Sequence, residues 1–425
     1  MKLQTLSFAI FFSVAVTATA INPTSTNYSA DQCQGSAMPY PAVDPVLTAF
    51  PDSLSPVMIN HVGRHGARYA SSAKRSNKLK TFLLKADSAK TITPDGKKLL
   101  SLVDYVIAIS DRKWGALDSL GMAEQRGIAS RMYLRYPGIF TQGKVAALSS
   151  YAPRCIMSMY SFTHQLARLN NKVKIYTNSG RQNSPLVRPF DLDQDYIDYR
   201  KTEPYESVYR SYLTENVPVA PVTRVLGEKF DISKDEAIDL SQTMYGFLSG
   251  MSAIGLSNEL PSYFTPEEYN KLWACNNLGQ YLERTANTVS TVPADITTDL
   301  LINLITTTDD VISGKSNEYV QLRFGHAETL MPLLSLMHLK GCYYLTNYFD
   351  SVGLHWRNFH VVPMASNLQL VIFKSKRGRY YVRAELNEVP TPLIPGNENI
   401  YVEWGVAKDY LQRCLPIDKQ LWTDL

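Results

Sequence analysis

A thirteen-residue stretch, Val57-Met-Ile-Asn-His-Val-Gly-Arg-His-Gly-Ala-Arg-Tyr69, constrains this chain more than any other. An apolar run that reads as a buried strand ends at Asn60. It gives way to a loop punctuated by Gly63 and Gly66 and carrying Arg64, His65 and Arg68. Glycine lets a backbone turn tightly and approach a ligand closely. A guanidinium presents a planar fork of donors that matches phosphate oxygens, and an imidazole is a nucleophile or proton carrier near neutral pH. Together they point to an enzyme that grips a phosphoryl group and attacks it. The plain alternative is a solvated basic loop with one satisfied histidine, the usual fate of a lone Arg-His pair.

The chain has 425 residues, 45% of them hydrophobic and 19% charged. That is ordinary globular composition, long enough for two domains or one large domain with an insertion. Lys2, the apolar run Leu6 to Val16 and Ala18-Thr-Ala20 read as a signal peptide over residues 1–20,. The mature protein is therefore expected to be exported, periplasmic or secreted. No later run of eighteen apolar residues predicts a membrane span,. A net charge of +4 is too small for a nucleic-acid binder,. Its distribution says more: from Arg64 to Lys113 there are twelve Lys or Arg against four Asp. A solvated helix face accounts for most of those lysines; a polyanionic substrate, whose on-rate such a field raises, is the functional reading. Cys33, Cys155, Cys275, Cys342 and Cys414 are too widely spaced for a zinc ribbon, and their odd number leaves at least one unpaired,.

Along the chain, helices are expected over Asn77 to Ala86, Lys97 to Ile109, Leu120 to about Tyr136, and Met157 to Leu169, with Lys144 to Ser150 as a second buried strand,. The middle reads as helical: Pro204 to Leu213, Ser233 to Met251, Thr265 to Ala286 and Ala294 to Ser313. Thr265-Pro-Glu-Glu268 is a strong start signal, with a capping hydroxyl, proline at the first helical position and acids in the first turn,. Strand-like sequence returns at Tyr319 to Phe324 and runs into Gly325-His-Ala-Glu328. A helix from about Thr329 to Leu339 follows, with Pro332 tolerable only in its first turn. Leu368 to Phe373 and Arg379 to Leu386 read as a hairpin, and Val406 to Arg413 as a last helix,. Strands alternating with helices predict an α/β sheet whose site gathers at the C-terminal ends of the strands.

Three strand ends each bring part of one constellation: Arg64, His65 and Arg68; then Arg154; then His326 and Glu328. A phosphomonoester needs its oxygens neutralised, a nucleophile in line and an acid for the leaving alkoxide. Taken singly, His326 reads as a satisfied loop histidine and Glu328 as a helix-start carboxylate.

Arg-His-Gly-Ala-Arg (64–68) resembles the RHGxR signature of histidine acid phosphatases. Leu120-Gly-Met-Ala-Glu-Gln-Arg-Gly127 and Ser149-Ser-Tyr-Ala-Pro-Arg154 are similar to that superfamily's second and third blocks. His326-Ala-Glu328 resembles the multiple inositol polyphosphate phosphatase branch, where many other members carry His-Asp. Ser184-Pro-Leu-Val-Arg-Pro-Phe-Asp191 and Arg383-Ala-Glu-Leu-Asn-Glu388 also look like that branch. The resemblance implies a phosphoglycerate-mutase-like histidine phosphatase α/β domain, built from residues 21–170 and 315–425, around a helical insertion over 171–314. It implies His65 as nucleophile, Arg64, Arg68, Arg154 and His326 as phosphate ligands, and Glu328 as proton donor. Lys74, Arg75, Lys78, Arg181 and Arg188 are candidate further contacts to a substrate bearing several phosphates, each of which also reads as a solvated charge. No metal or cofactor is expected. The activity implied is release of orthophosphate from inositol polyphosphates such as phytate through a phosphohistidine. A broader acid phosphatase acting on sugar phosphates or bisphosphoglycerate, and a non-catalytic inositol phosphate binder, are the alternatives.

Overall fold

The computed structural model describes residues 27–41 and 49–417. The signal-peptide expectation at residues 1–20 lies outside them. The strands are β1 (Leu54–Arg64), β2 (Lys144–Ser149), β3 (Lys174–Ser179), β4 (Val320–Gly325), β5 (Asn367–Ser375), β6 (Tyr380–Leu386), β7 (Val389–Thr391) and β8 (Val402–Glu403). They form one sheet in the order β3-β2-β4-β1-β5-β6-β7, with β8 paired to β6. The first four run parallel; β5 turns antiparallel against β1. Every residue of β4 is buried, as a central parallel strand covered on both faces requires.

The helices that matter below are α1 (Lys74–Ser88), α2 (Pro94–Ser110), α3 (Ser119–Arg135), α4 (Pro153–Leu169), α5 (Gln194–Thr202), α6 (Glu206–Asn216), α7 (Lys234–Leu248), α8 (Pro266–Arg284), α9 (Thr298–Ile312), α10 (Ala327–Leu336) and α11 (Trp404–Arg413). Period-two alternation along β1 splits its side chains between two layers. Met58 and Val62 pack with Leu300, Leu304, Leu330 and Leu411 from α9, α10 and α11. Ile59 packs with Ile128, Met132, Met159 and Phe162 from α3 and α4. A separate core of Leu79, Leu83, Leu99, Val103, Met244, Leu272 and Trp273 builds a helical lobe from α1, α2, α7 and α8. Cap chemistry sets the helix starts: Thr93 accepts from the Gly96 N–H, and Thr265 and Glu268 form a reciprocal capping box at α8,.

The helical segment does not begin at residue 171 or end at 314. Residues 174–179 form β3, the outer parallel strand beside β2. Its sequence, Lys-Ile-Tyr-Thr-Asn-Ser, is mostly exposed, so an edge strand left no apolar run to notice. At the other end, α9 covers the sheet rather than the helical lobe, while α1 and α2, expected within the α/β part, belong to that lobe. Pro332 is not in a first turn, because α10 starts at Ala327 and places it inside the helix. Its missing N–H leaves the Glu328 carbonyl without its usual partner four residues on. Helix α4 starts at Pro153, not Met157, which puts Arg154 in its first turn. Among the described residues, all five cysteines are free thiols, and no helix is long and apolar enough to cross a membrane.

Candidate active site

Strand β1 delivers Arg64 to the sheet edge directly opposite Gly325 of β4. The His65 N–H donates to the Gly325 carbonyl (3.1 Å), and the His65 carbonyl accepts from the Ala365 N–H (3.0 Å). Helix α3 braces the same loop. Gln125 Nε2 donates to the Arg64 carbonyl (3.0 Å) and the Ala67 N–H donates to Glu124 Oε2 (2.7 Å). The Gly66 N–H donates to Ser158 Oγ of α4 (3.1 Å). Gly66 and Gly121 meet backbone to backbone, and a Cβ on Gly121 would fall on the Ala67 backbone. Gly121→Ala is therefore expected to lower stability by about 2 kcal/mol or push the loop outward, with lost phosphatase turnover. Unaltered denaturation and unaltered turnover would show the packing to be unimportant.

His65 is 2% exposed. Its Nδ1 lies 2.9 Å from the Gly66 carbonyl, which can only accept, so Nδ1 carries the proton and Nε2 keeps its lone pair. Burial, reinforced by Arg68, Arg64 and Arg154, holds the imidazole well below its ordinary pKa,. That favours the neutral ring at mildly acid pH. Arg64 donates through Nη1 to the carbonyls of Ser36 and Val362, both at 2.6 Å. Burial and the neighbouring Arg68 lower its pKa to about 9; burial and Arg154 lower that of Arg68 to about 10. Both remain cationic at neutral pH. Arg64, Arg68 and Arg154 each carry a buried Nε with no hydrogen-bond partner. Buried donors without acceptors are uncommon, and an oxyanion has acceptors to spare.

His326 follows β4, and its ring centroid stands 5.8 Å from that of His65, edge to face. Ser150 Oγ lies 2.9 Å from its Nε2. Arg188 Nη1 is 3.1 Å from Nε2 and Arg154 Nη2 is 3.3 Å from Nδ1. Burial, opposed by Glu328 and helped by Arg154 and Arg188, brings its pKa down to about 3. A neutral imidazole has one accepting nitrogen, so one of the two guanidiniums always lacks an acceptor there. A phosphate oxygen would supply it.

Glu328 sits in the first turn of α10. Burial pushes its carboxyl up, but Arg284, His326 and Arg64 outweigh that and hold it far below the usual carboxylate range. Glu328 Oε1 is 3.2 Å from Nη2 of Arg284. The site thus has five arginines, two neutral imidazoles and one carboxylate around a sheet edge, a field suited to a phosphoryl group in transit,. Among the described residues no group of three or more His, Cys, Asp or Glu is placed to hold a metal ion.

The model of the histidine phosphatase superfamily (branch 2) matches residues 58–387. This chain belongs to that superfamily. Human multiple inositol polyphosphate phosphatase 1 is 26% identical over 429 residues, spanning 89% of this chain and 87% of the human protein. The chicken protein of the same name is 26% identical over 88% of each chain. Among solved structures, the apo form of the Bifidobacterium longum multiple inositol polyphosphate phosphatase matches with a TM-score of 0.79 at 18% identity, covering 89% of this chain and 97% of that one. The D. castellii phytase matches at 0.69 and 16% identity, covering 91% and 86%. At those identities the structural likeness shows the fold.

Within this histidine phosphatase the further basic candidates separate. Arg188 joins the site, held by an ion pair to Asp191 and by a Thr329 Oγ1 to Val187 carbonyl hydrogen bond of 2.7 Å that fastens its segment to α10. Arg181 stacks on the Tyr151 ring at 4.4 Å, and Arg188 lies 4.9 Å from the same ring centroid, so both rim the His326 side. Lys78 and Arg75 are not brought there: Lys78 pairs with Asp239, and Arg75 donates to the Gly246 carbonyl (3.1 Å). Both spend their charge fixing α1 to α7. Lys74 is an exposed side chain in the first turn of α1. Sequence reasoning missed Arg284, which closes α8 more than forty residues from any recognised block. A basic residue in a helix's last turn is ordinary, and nothing local marks this one.

Proposed function

We propose that this chain is an exported phosphomonoesterase that hydrolyses inositol polyphosphates, phytate foremost, through a phosphohistidine on His65. The observation that carries the reading is a neutral, buried His65 with Nδ1 tied to a carbonyl, encircled by three arginines whose Nε donors lack acceptors. Nε2 of His65 attacks phosphorus as the bond to the ring oxygen breaks. Arg64, Arg68, Arg154 and His326 hold the oxygens, and Glu328 protonates the leaving alkoxide. Water then attacks the phosphohistidine and releases orthophosphate. The human and chicken relatives named for inositol polyphosphates support the substrate class, as does a Bifidobacterium longum structure with inositol hexasulfate. Lys2, the apolar run and Ala18-Thr-Ala20 support export,; a mature protein beginning near Ile21 is the expected result of N-terminal sequencing.

Phosphate release from phytate should exceed that from sugar monophosphates and bisphosphoglycerate in a side-by-side panel with the product isomers separated. Equal rates across the panel would favour a broad acid phosphatase. Because folded-state protonation of His65 is suppressed, its nucleophilic form persists as pH falls below about 6.5. Turnover of phytate is expected to hold from pH 7 to 5; a loss through that range with a midpoint near 6.5 would count against His65.

A further inference from the structure

As the proton donor, Glu328 must carry a proton, yet its surroundings keep it ionised. Arg284 Nη2 lies 3.2 Å away, Arg284 Nε is 3.4 Å from Glu283, and the Arg284 and Glu328 side chains are only 22% and 33% exposed. The charged and titratable groups that face Glu328 come from five parts of the fold. His326 stands on its own segment, Arg64 at the end of β1 and Arg68 on the loop after it, Cys155 on α4, Arg284 and Glu283 on α8, and Tyr196, Arg200 and Lys201 on α5. Protonating Glu328 while Arg284 stays in place would forfeit the ion pair in a half-buried site, where such a pair is screened little.

A cavity of about 410 Å³ opens on this pair and is lined by Glu328, Arg284, Glu283, Arg200 and Lys201 among others. It holds three cations and two carboxylates, and both carboxylates are already engaged: Glu283 with Arg200 and Arg284, Glu328 with Arg284. An arriving phosphate would do two things at once. It would offer Arg284 a better, doubly charged partner, and its negative charge would favour the protonated form of Glu328.

We infer that Arg284 is a selector residue that keeps Glu328 silent until a second phosphate of the same substrate enters this cavity and takes the guanidinium. Substrates with several phosphates then arm the acid, and monophosphates do not. In the step that follows, Glu328 takes a proton from solvent as the Arg284–phosphate pair forms. It passes that proton to the ring oxygen as the phosphorus–oxygen bond breaks and the bond from phosphorus to His65 Nε2 forms, and it is again a carboxylate when the alcohol leaves. Binding energy remote from the reacting bond is spent on readying the catalyst. The inference rests on Glu328 being the acid.

The test measures kcat/KM against pH for the full-length wild type, Arg284→Gln and Arg284→Lys, with inositol hexakisphosphate and with glycerol 2-phosphate. Both substrates have poor leaving groups, but only the first can fill the cavity while it reacts. Arg284→Gln is expected to raise turnover of glycerol 2-phosphate by about 10-fold and to move its basic limb up by about one pH unit, because an unpaired Glu328 protonates more readily. It is expected to lower turnover of the hexakisphosphate by about 10-fold, and Arg284→Lys, which keeps the charge, should fall between. A parallel loss on both substrates overturns the inference, as does a loss on the hexakisphosphate alone with the glycerol phosphate limb unmoved, which would mark an ordinary binding contact. If the glutamine variant does not fold, the direction of the basic limb in the lysine variant decides the matter in the same way. Glu328→Gln run alongside separates the two readings: if it leaves both substrates unaffected the acid assignment fails, whereas if it behaves as an acid and the limb stays put in the Arg284 variants, only the selector role fails.

Discussion

Replacing His65 by alanine is expected to cut phosphate release from phytate by about 10⁴-fold or more, with a thermal midpoint within a few degrees of wild type. In the proposed mechanism the ring contributes the attacking atom, and no second free imidazole stands beside it among the described residues. His326, the other imidazole of the site, has Ser150, Arg154 and Arg188 within 3.3 Å of its two ring nitrogens. The stability cost is small because the hydrogen bonds that hold the loop are made by backbone: the His65 N–H to Gly325, the Ala365 N–H to the His65 carbonyl, and the Ala67 N–H to Glu124. The side chain takes with it the contact from Nδ1 to Gly66 and the edge-to-face packing on His326. Phosphoenzyme trapped by alkaline quench, which spares a phosphoramidate bond, should be present in wild type and missing in the variant. Turnover above one hundredth of wild type with a folded variant would remove His65 from the nucleophile role.

Glu328→Gln should lower kcat on inositol phosphates by about 10²- to 10⁴-fold and spare aryl phosphates by comparison, since a phenolate leaves with little protonation. The amide cannot deliver a proton, yet its oxygen can still accept from Arg284. Removing one negative charge from a site with Arg64, Arg68, Arg154, Arg188 and Arg284 should also tighten binding of a polyanion, so KM falls together with kcat. A rise in KM at constant kcat would instead make Glu328 a binding group, and equal losses on aryl and inositol phosphates would exclude it as the acid.

The late block Arg383-Ala-Glu-Leu-Asn-Glu388 shows how a recognised motif can be structural. Arg383 and Glu385 form a fully buried pair with Tyr136, and Arg135 reaches Glu385 at 2.7 Å. Asn387 and Glu388 adopt positive φ at the β6–β7 turn, and Glu388 is held there by Arg131 and the Tyr40 hydroxyl. The backbone N–H of Tyr40 in turn donates to Glu124, which holds the loop of His65. The motif supports the site without lining it.

By itself the sequence determined the sheet's central strands and the helix starts with strong caps, and it singled out Arg64, His65, Arg68, Arg154, His326 and Glu328 as candidates, because each is announced by local signals: apolar runs, glycines, N-caps and motif spacing. The structure brings Arg64, His65, Arg154 and His326 together at the ends of β1, β2 and β4, with Arg68 and Glu328 as their charged neighbours. Tertiary structure alone decided the rest. An edge strand such as β3 has no apolar pattern to betray it. That Lys78 meets Asp239, and that Arg284 at the end of α8 also faces Glu328, depends on what the fold brings within 4 Å, and charge on a helix surface looks the same in sequence either way. The protonation of Glu328 belongs to the same class: burial pushes its carboxyl up, and a guanidinium forty-four residues away, put beside it only by packing, does most to pull it down.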